Sequence, residues 1–258
     1  MDFVKLELRA PVAIVTLDRP DCLNALNNQV YEEIIATLQD VEKNSDIKVV
    51  ILTGAGKKAF AAGADIAQMV HQTAIEGRFL GGLCHKAANL LENMRQVTIA
   101  AVNGFALGGG CELAMACDIR ICSDNARFGQ PEVGLGIIPG FSGTVRLARL
   151  VGMGMAKQLI YTGKALRASE ALRIGLVNEV LPQEELMNRA LELAGQIAAN
   201  APLAVSAAKL CINTEYDMPA EDAIVFENRA FGLCFNTEDQ KGGMKAFLEK
   251  GKYEFQGK

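Results

Sequence analysis

The sequence predicts an α/β fold followed by a helical C-terminal region. In the first half of the chain, short apolar segments typical of buried strands alternate with helical patterns, and after about residue 145 the pattern is mainly helical. The 258 residues and the apolar content of 50% are enough for one large core, with or without a smaller appendage. We therefore expect residues 1–200 to form the core of the fold and residues 201–258 to form a helical region.

The first elements are predicted from hydrophobic period and capping signals. Phe3–Leu8 and Val12–Leu17 are alternating or apolar segments separated by a turn, a pattern typical of a β-hairpin. Asn27 or Asn28 can cap a following helix whose apolar residues recur at helical spacing. Val49–Leu52 is then predicted to be a short buried strand.

The middle of the chain continues the strand–helix rhythm without a strong sequence repeat. A long helical stretch follows Asp65, and the glycine pair that begins at Gly81 is expected to break it. The strand Ile99–Val102 comes next, and it is followed by a glycine cluster, by an alanine-rich helix from about Cys111 and by the strand Ile119–Ile121.

The last third of the chain is predicted to be helical apart from one strand within residues 175–180. Helices are expected near residues 203–213, 219–235 and 238–250. This region is rich in phenylalanine, namely Phe226, Phe231, Phe235 and Phe247. Because three helices this short bury little apolar surface by themselves, we expect them to pack on the main domain, on a neighbouring subunit, or on both.

Charge and hydropathy argue against several classes of protein. A net charge of −4 gives no basis for a nucleic-acid or membrane partner. No run of about 18 apolar residues is present that could span a bilayer. The N-terminal stretch MDFVKLELRA is charged and alternating, and it lacks the basic flank, apolar run and cleavage site of a secretory signal. We therefore expect a cytoplasmic protein.

The cysteines indicate reduced thiols rather than a metal site. The chain contains seven cysteines, an odd number, and no CxxC pair, which is typical of a protein in a reducing compartment. His71 and His85 are the two histidines, and neither is spaced from a cysteine as a zinc site requires. We predict no bound metal.

Three segments rich in small residues carry the chemical signal. They are Lys58–Ile66, Asn103–Ala114 and Phe128–Gly136. The first two place small residues at the start of a helix, where free backbone N–H groups and the positive end of the helix dipole can hold an anion. Two such helix starts facing one point would form an oxyanion hole from backbone donors alone.

The last two segments each contain a glutamate. Glu112 lies in the first turn of its predicted helix, and Glu132 follows Pro131 in a loop bordered by glycines. A carboxylate pair beside an oxyanion hole is suited to moving protons around an enolate. One carboxylate can take a proton from water, while the other, kept protonated, delivers a proton to carbon.

Taken singly, each feature has a simpler explanation. The triplet Gly108–Gly110 is more often packing or turn chemistry, and it matches neither a phosphate-binding loop nor a dinucleotide fingerprint. A glutamate at the position of Glu112 is more often a charge that complements the helix dipole. Glu132 alone would more often be a solvated loop carboxylate. The functional interpretation therefore depends on all three segments together.

Together these segments closely resemble the crotonase (enoyl-CoA hydratase/isomerase) superfamily, and the resemblance covers almost the whole chain. Within it, the sequence is most similar to the bacterial short-chain enoyl-CoA hydratases, also called 3-hydroxybutyryl-CoA dehydratases. The supporting stretches are Arg19-Pro20 with Asn24–Asn27, Val151–Leu159, Ala171–Val177 and Phe235–Lys241. The resemblance implies a spiral of β-β-α units with a helical C-terminal region, assembled as a homotrimer or as a homohexamer formed from two trimers.

The resemblance also implies an activity and its site residues. The N–H groups of Ala64 and Gly109 would bind the thioester oxygen of a short trans-2-enoyl-CoA. Glu112 would activate water for attack at the β-carbon, and Glu132 would supply the proton to the α-carbon. Coenzyme A is part of the substrate, so no separate cofactor is expected. The positions that match CoA-contacting stretches are Ala25, Ala62, Asp65, Ile66, Phe231 and Lys250, of which the last two often reach CoA from a neighbouring subunit.

The intact glutamate pair favours a hydratase, which is a lyase, over other activities of the fold. An enoyl-CoA isomerase is the alternative, because some pair-bearing relatives also isomerise. One branch of the family binds RNA, but the helix predicted within Gln29–Asp46 carries acidic side chains with Lys43 as its single lysine, which is the wrong charge for phosphate contacts. The pair also argues against a catalytically silent subunit.

Three departures from the family pattern leave the glutamates and the oxyanion segments unchanged. Val97-Thr98 stands where relatives often have Lys-Pro, Ser142–Arg146 replaces a common Gly-Gly-Thr-Gln-Arg, and Gly251 replaces a frequent basic residue. They bear on rate and affinity more than on reaction type. The acyl tail is expected to meet the segment 67–95 and Phe141, but the sequence does not give the depth of the pocket.

Overall fold

The computed structural model describes residues 1–258. The strands are β1 Val4–Arg9, β2 Val12–Leu17, β3 Val49–Gly54, β4 Ala59–Ala61, β5 Val97–Val102, β6 Phe105–Leu107, β7 Ile119–Ser123, β8 Arg127–Gly129, β9 Leu166–Arg167 and β10 Glu179–Leu181. The helices are α1 Asn28–Lys43, α2 Ile66–Met69, α3 Ala74–Asn93, α4 Gly109–Ala116, α5 Gly143–Val151, α6 Met153–Thr162, α7 Ala168–Arg173, α8 Leu186–Ala198, α9 Pro202–Glu215, α10 Ala220–Cys234 and α11 Glu238–Leu248.

Two sheets are built from strands that alternate along the chain. The larger sheet has the order β1-β2-β3-β5-β7-β10, and the smaller one has the order β4-β6-β8-β9. Neighbouring strands are parallel except for the pairs β1–β2 and β8–β9. The successive pairs β3–β4, β5–β6 and β7–β8 each give one strand to each sheet before the chain enters a helical segment. The units therefore stack as a spiral, which confirms the predicted fold.

The central strands β3 and β5 of the larger sheet are buried on both faces, because helices cover each side. In β3, Val50 and Leu52 pack into the main core with α1, α3 and α4, whereas Val49 and Ile51 pack into a second core with α8. This division follows from the alternation of side chains along a strand. A strand buried on both faces is apolar throughout, which is why Val49–Leu52 is recognisable in the sequence.

The predicted hairpin and its following helix are confirmed. β1 and β2 pair antiparallel, and the Asn27 side chain caps α1 by accepting the N–H of Val30 over 2.9 Å. The predicted break at Gly81 is wrong, because α3 passes through it and the interruption falls at residues 70–73. Thr73 and Glu76 form a capping box that starts α3 there, whereas a glycine inside a helix costs only about 1 kcal/mol.

The strand predicted within residues 175–180 is shorter and later than expected, since β10 spans Glu179–Leu181. Gly175 has φ +76° and follows the end of α7. Leu176 and Val177 are buried without belonging to a strand. The sequence also failed to predict β4, β6 and β8. Three residues are too few to show the period-2 pattern of a strand.

The C-terminal helices lie close to the predicted ranges. α9 is tied to the spiral by Lys209, which forms an ion pair with Asp118 over 2.8 Å and donates to the carbonyls of Leu91 and Gln96. α10, by contrast, has no buried residue. The division into residues 1–200 and 201–258 stays a prediction. None of the helices combines the length and apolar character needed to cross a membrane.

Candidate active site

The two predicted oxyanion donors converge because neighbouring parallel strands end at the same edge of the smaller sheet. β4 pairs with β6 so that Ala61 lies opposite Ala106. Ala64 and Gly109 each follow one of these residues by three positions, and both line one cavity of about 570 Å³. Neither N–H group donates a hydrogen bond within the chain. Two free backbone donors at one cavity are what an oxyanion hole requires.

Glu132 reaches the same cavity from the next strand. β6 pairs with β8 so that Leu107 lies opposite Gly129, and Glu132 follows Gly129 by three residues. Glu132 lines the cavity and is 9% exposed. A Cβ atom on Gly108, whose φ is +50°, would lie 2.5 Å from Oε1 of Glu132. Glycine at position 108 therefore leaves room for the carboxyl group beside the oxyanion donors.

The buried amide of Gln130 faces the carboxyl group of Glu132. With its nitrogen turned toward Glu132, the amide donates to both carboxyl oxygens over 3.1 Å. Burial raises the pKa of Glu132 above its usual range, because the protein replaces water around the charged form. Glu132 can therefore keep a proton closer to neutral pH than an exposed glutamate does.

Glu112 lies in the first turn of α4 and is 1% exposed. Its Oε1 accepts the backbone N–H groups of Phe141 over 2.9 Å and of Gly143 over 2.6 Å. Ser142, between these two donors, adopts the left-handed conformation with φ +81° and ψ +15°. Successive N–H groups around such a residue form a concave anion-binding nest. The other carboxyl oxygen, Oε2, is buried and has no hydrogen-bond partner in the chain, which leaves it available to a water molecule.

Burial raises the pKa of Glu112 from its usual value of 4.5 to about 7, and the nearby negative charge of Glu132 adds to the rise. The N–H groups of Gly143 and Phe141 and the positive charge of Arg146 act in the opposite direction. Because each carboxylate disfavours ionisation of the other, the pair can share one proton near neutral pH. This protonation state provides one base and one acid within one carboxyl pair.

The rest of the cavity wall is largely apolar. It includes Met69, Leu80, Ile137, Ile138 and Phe141, with Gly77 and Gly81 on the α3 side. The expectation that the acyl tail meets the segment 67–95 and Phe141 is consistent with this wall. Val70 and Phe79, at 66% and 62% exposed, do not line it.

The residues predicted to contact CoA fall into two groups. Ala62 and Ile66 line the cavity. Ala25 and Asp65 are joined by Arg19, whose guanidinium donates to the Ala25 carbonyl over 2.6 Å and lies 3.3 Å from the Asp65 carboxylate. These residues therefore lie on two neighbouring chain segments, since Leu26 and Ala64 are bridged as in a parallel sheet.

The second group comprises Phe231 on α10 and Lys250 after α11. Phe231 is 61% exposed, Lys250 is exposed as well, and neither lines the cavity that Glu132 lines. Their contact with CoA, within one subunit or from a neighbour, stays a prediction.

The partners of Glu112 were not found by sequence reasoning. Backbone N–H groups leave no side-chain signal, so the roles of Phe141 and Gly143 depend on how the chain folds between Glu132 and α5. The one signal in the sequence was the glycine at position 143. The structure shows why a glycine is needed there, because a Cβ atom would lie 2.7 Å from Oε1 of Glu112. No group of three or more His, Cys, Asp or Glu side chains is arranged to hold a metal ion.

Comparisons with known proteins agree over nearly the whole chain. The family model described as enoyl-CoA hydratase/isomerase matches residues 7–258. The short-chain-enoyl-CoA hydratase of Clostridium acetobutylicum is 57% identical over 251 residues, covering 97% of this chain and 96% of that protein. The crotonyl-CoA hydratase of Syntrophomonas wolfei is 51% identical over 250 residues, with coverages of 97% and 96%. The crystal structure of enoyl-CoA hydratase from Bacillus anthracis is similar with a TM-score of 0.96 at 38% identity, covering 99% of this chain and 100% of that one.

Proposed function

Since the chain belongs to the enoyl-CoA hydratase/isomerase family, we propose that it hydrates short-chain trans-2-enoyl-CoA with Glu112 and Glu132 as its catalytic pair. The enzyme is an enoyl-CoA hydratase, a hydro-lyase. The observation that carries the proposed mechanism is that two free N–H groups and the Glu132 carboxyl line one cavity. The buried Glu112 carboxyl lies next to this cavity, because it accepts the N–H of Phe141, a residue of the cavity wall.

The N–H groups of Ala64 and Gly109 bind the thioester oxygen. When water attacks the β-carbon, the electron pair of the double bond moves toward this oxygen and forms an enolate. Donors already aimed at the oxygen stabilise that charge without reorganisation, and one such donor contributes about 3–4 kcal/mol to the transition state.

Glu112 takes a proton from the attacking water, and Glu132 delivers its own proton to the α-carbon as the carbonyl re-forms. We assign the base to Glu112 because its buried Oε2 has no partner in the chain and is available to water, while two backbone N–H groups hold Oε1. We assign the acid to Glu132 because it lines the cavity, where a bound acyl group excludes further water and favours the protonated form. Turnover leaves the proton on Glu112, and its return to Glu132 resets the pair. Dehydration is the same sequence reversed.

The preference for short acyl chains is supported by the relatives that are 57% and 51% identical, which are named for short-chain enoyl-CoA and crotonyl-CoA. We propose that Ala25, Ala62, Asp65 and Ile66 hold the CoA portion, and that Phe231 and Lys250 reach it from a neighbouring subunit. The absence of disulfides among the seven cysteines supports a cytoplasmic location.

We propose a homotrimer, or a hexamer of two trimers, that is held together through residues 201–258. The support is apolar surface left uncovered in one chain, since Ile224, Phe231, Leu233, Phe247 and Leu248 are each more than 60% exposed. Exposed apolar area of this kind marks association surfaces. Analytical ultracentrifugation of the purified protein tests the assembly, and a monomer at micromolar concentration would contradict it.

The catalytic proposal is tested with crotonyl-CoA by following the loss of its conjugated thioester absorbance. Glu112→Gln and Glu132→Gln should each lower kcat by about 100-fold or more, as expected for removal of a general acid or base. Glu179→Gln, which changes a half-buried ion pair with Arg189, is the matched control and should retain full activity. Wild-type activity in either Glu112→Gln or Glu132→Gln would contradict the assigned roles. A 3-enoyl-CoA substrate measured in parallel distinguishes hydration from isomerisation.

A further inference from the structure

The structure contains a buried arginine that the proposed mechanism does not use. Arg146 lies on α5, one helical turn after Gly143, and is 6% exposed. Its Nη2 donates to Glu92 over 2.6 Å and to Asn89 over 3.2 Å, both on α3. Its Nε and Nη1 are buried without a partner. Burying a guanidinium with unpaired donors is costly, so its position needs an explanation beyond the ion pair.

The position of Arg146 connects it to Glu112. The N-terminal turn of α5 supplies the Gly143 N–H that holds Oε1 of Glu112. The ion pair with Glu92 fixes the same turn against α3. Arg146 is also the one cation whose charge lowers the pKa of Glu112.

The other titratable groups around Glu112 are Glu132, Tyr31 on α1, Cys84 on α3 and Cys111 on α4. Burial raises the pKa of Tyr31, and the pKa values of Cys84 and Cys111 are raised by burial too. These three groups are therefore neutral at physiological pH. Glu132 is the one neighbour among them that repels a charge on Glu112, so Arg146 is the group that opposes it.

We propose that Arg146 is a positioning residue that keeps Glu112 in the ionised form needed to activate water, and that Glu92 sets how much of the arginine charge acts on Glu112. This inference rests on the proposed role of Glu112 as the base. It implies that the two partners of one ion pair act in opposite directions. Removing Arg146 takes away a charge that favours ionised Glu112, whereas removing Glu92 leaves that charge uncompensated.

The experiment is the pH dependence of kcat/KM for crotonyl-CoA in Arg146→Gln, Glu92→Gln and Arg146→Lys. Because the base must be ionised, kcat/KM rises with pH through the pKa of Glu112. Arg146→Gln should move this acid limb to higher pH by about half a unit, which lowers kcat/KM about threefold at a given pH on the limb. Glu92→Gln should move it downward. Arg146→Lys retains the charge and should keep the wild-type limb.

A purely structural ion pair would behave differently. Removal of either partner would then lower activity and leave the acid limb at the same pH as in the wild type. Equal limbs in all variants, or shifts of the same sign in Arg146→Gln and Glu92→Gln, would overturn the proposal. If Arg146→Gln does not fold, the direction of the shift in Glu92→Gln decides the question alone. If the proposed role of Glu112 as the base is itself wrong, Glu112→Gln should retain the activity of the wild type. The two failures are therefore distinguishable.

Discussion

The backbone N–H of Gly143 donates to Oε1 of Glu112 over 2.6 Å, although the two residues are 31 positions apart in the sequence. The proposed base therefore lies at the N-terminus of α5, where the positive end of the helix dipole faces it. Its second oxygen is left without a partner in the chain. One half of the carboxylate is fixed by the protein and the other half is free for substrate water.

Glu112→Gln should raise stability above neutral pH. Burial raises the pKa of this carboxyl from 4.5 to about 7 in the folded protein, so the folded state binds the proton more tightly than the unfolded chain. The free energy of unfolding of the wild type therefore falls as pH rises from about 4.5 to about 7, by up to about 3 kcal/mol. The amide keeps an oxygen for the two N–H donors and carries no charge.

The measurement is urea unfolding of wild type and Glu112→Gln at about pH 5 and about pH 8, the pH range that the shift defines. The variant should gain stability over the wild type mainly at the higher pH. Glu179→Gln is the control, because its ion pair with Arg189 lowers the pKa of that carboxyl. A gain of the same size at both pH values would contradict the explanation.

Gly108→Ala should lose activity while remaining folded. The added Cβ atom would lie 2.5 Å from Oε1 of Glu132, and it would displace the proposed acid beside the donor Gly109. Misplacement of a catalytic group by about 1 Å can cost about 100-fold in rate. The control is Gly152→Ala. Gly152 also has a positive φ and also precedes a helix, but no atom lies within 4 Å of its Cβ position. Equal kcat/KM for crotonyl-CoA in both variants would show that backbone strain, and not the contact, is responsible.

Ser142→Gly should stabilise the protein without loss of activity. Ser142 has φ +81° and makes no side-chain hydrogen bond at the start of α5. A left-handed conformation costs a non-glycine residue about 1–2 kcal/mol. Glycine avoids this cost, but its greater freedom in the unfolded chain offsets about 0.5–1 kcal/mol of the gain. Urea unfolding should show a gain of up to about 1 kcal/mol. Ser142→Ala keeps the Cβ atom and should show none, so a similar gain in both variants would rule out relief of strain.

Gly81→Leu should narrow the range of acyl chains. Gly81 lines the cavity, and the nearest atom to its Cβ position is the Gly140 carbonyl at 3.6 Å. A leucine side chain there fills space along the cavity wall. The kcat/KM ratio of 2-hexenoyl-CoA to crotonyl-CoA should fall by about tenfold or more, the effect of a methylene that no longer fits.

The matched control for this prediction is Gly82→Leu. Gly82 is on the same helix, is exposed and has no atom within 4 Å of its Cβ position. It should leave the ratio unchanged. Equal losses on both substrates in Gly81→Leu would show that the acyl chain does not extend along this part of α3.

Local signals in the sequence were sufficient for several elements. The hairpin, the Asn27 cap and the C-terminal helices were predicted because period, turns and caps are properties of neighbouring residues. The break in the helical stretch was misplaced at Gly81 because glycine is a weak helix breaker and the capping box at Thr73 is a stronger start signal. The three-residue strands β4, β6 and β8 were missed because pairing across the smaller sheet, not local pattern, makes them strands.

The sequence by itself determined the family, the spiral fold and the two glutamates on which the proposed chemistry depends, because these are carried by residue types at fixed spacing in contiguous segments. Only the tertiary structure decided how Ala64, Gly109 and Glu132 converge and which backbone groups hold Glu112. Convergence results from the parallel register of strands far apart in the chain. Backbone donors such as the N–H of Phe141 are present in nearly every residue, so their role depends on where folding places them.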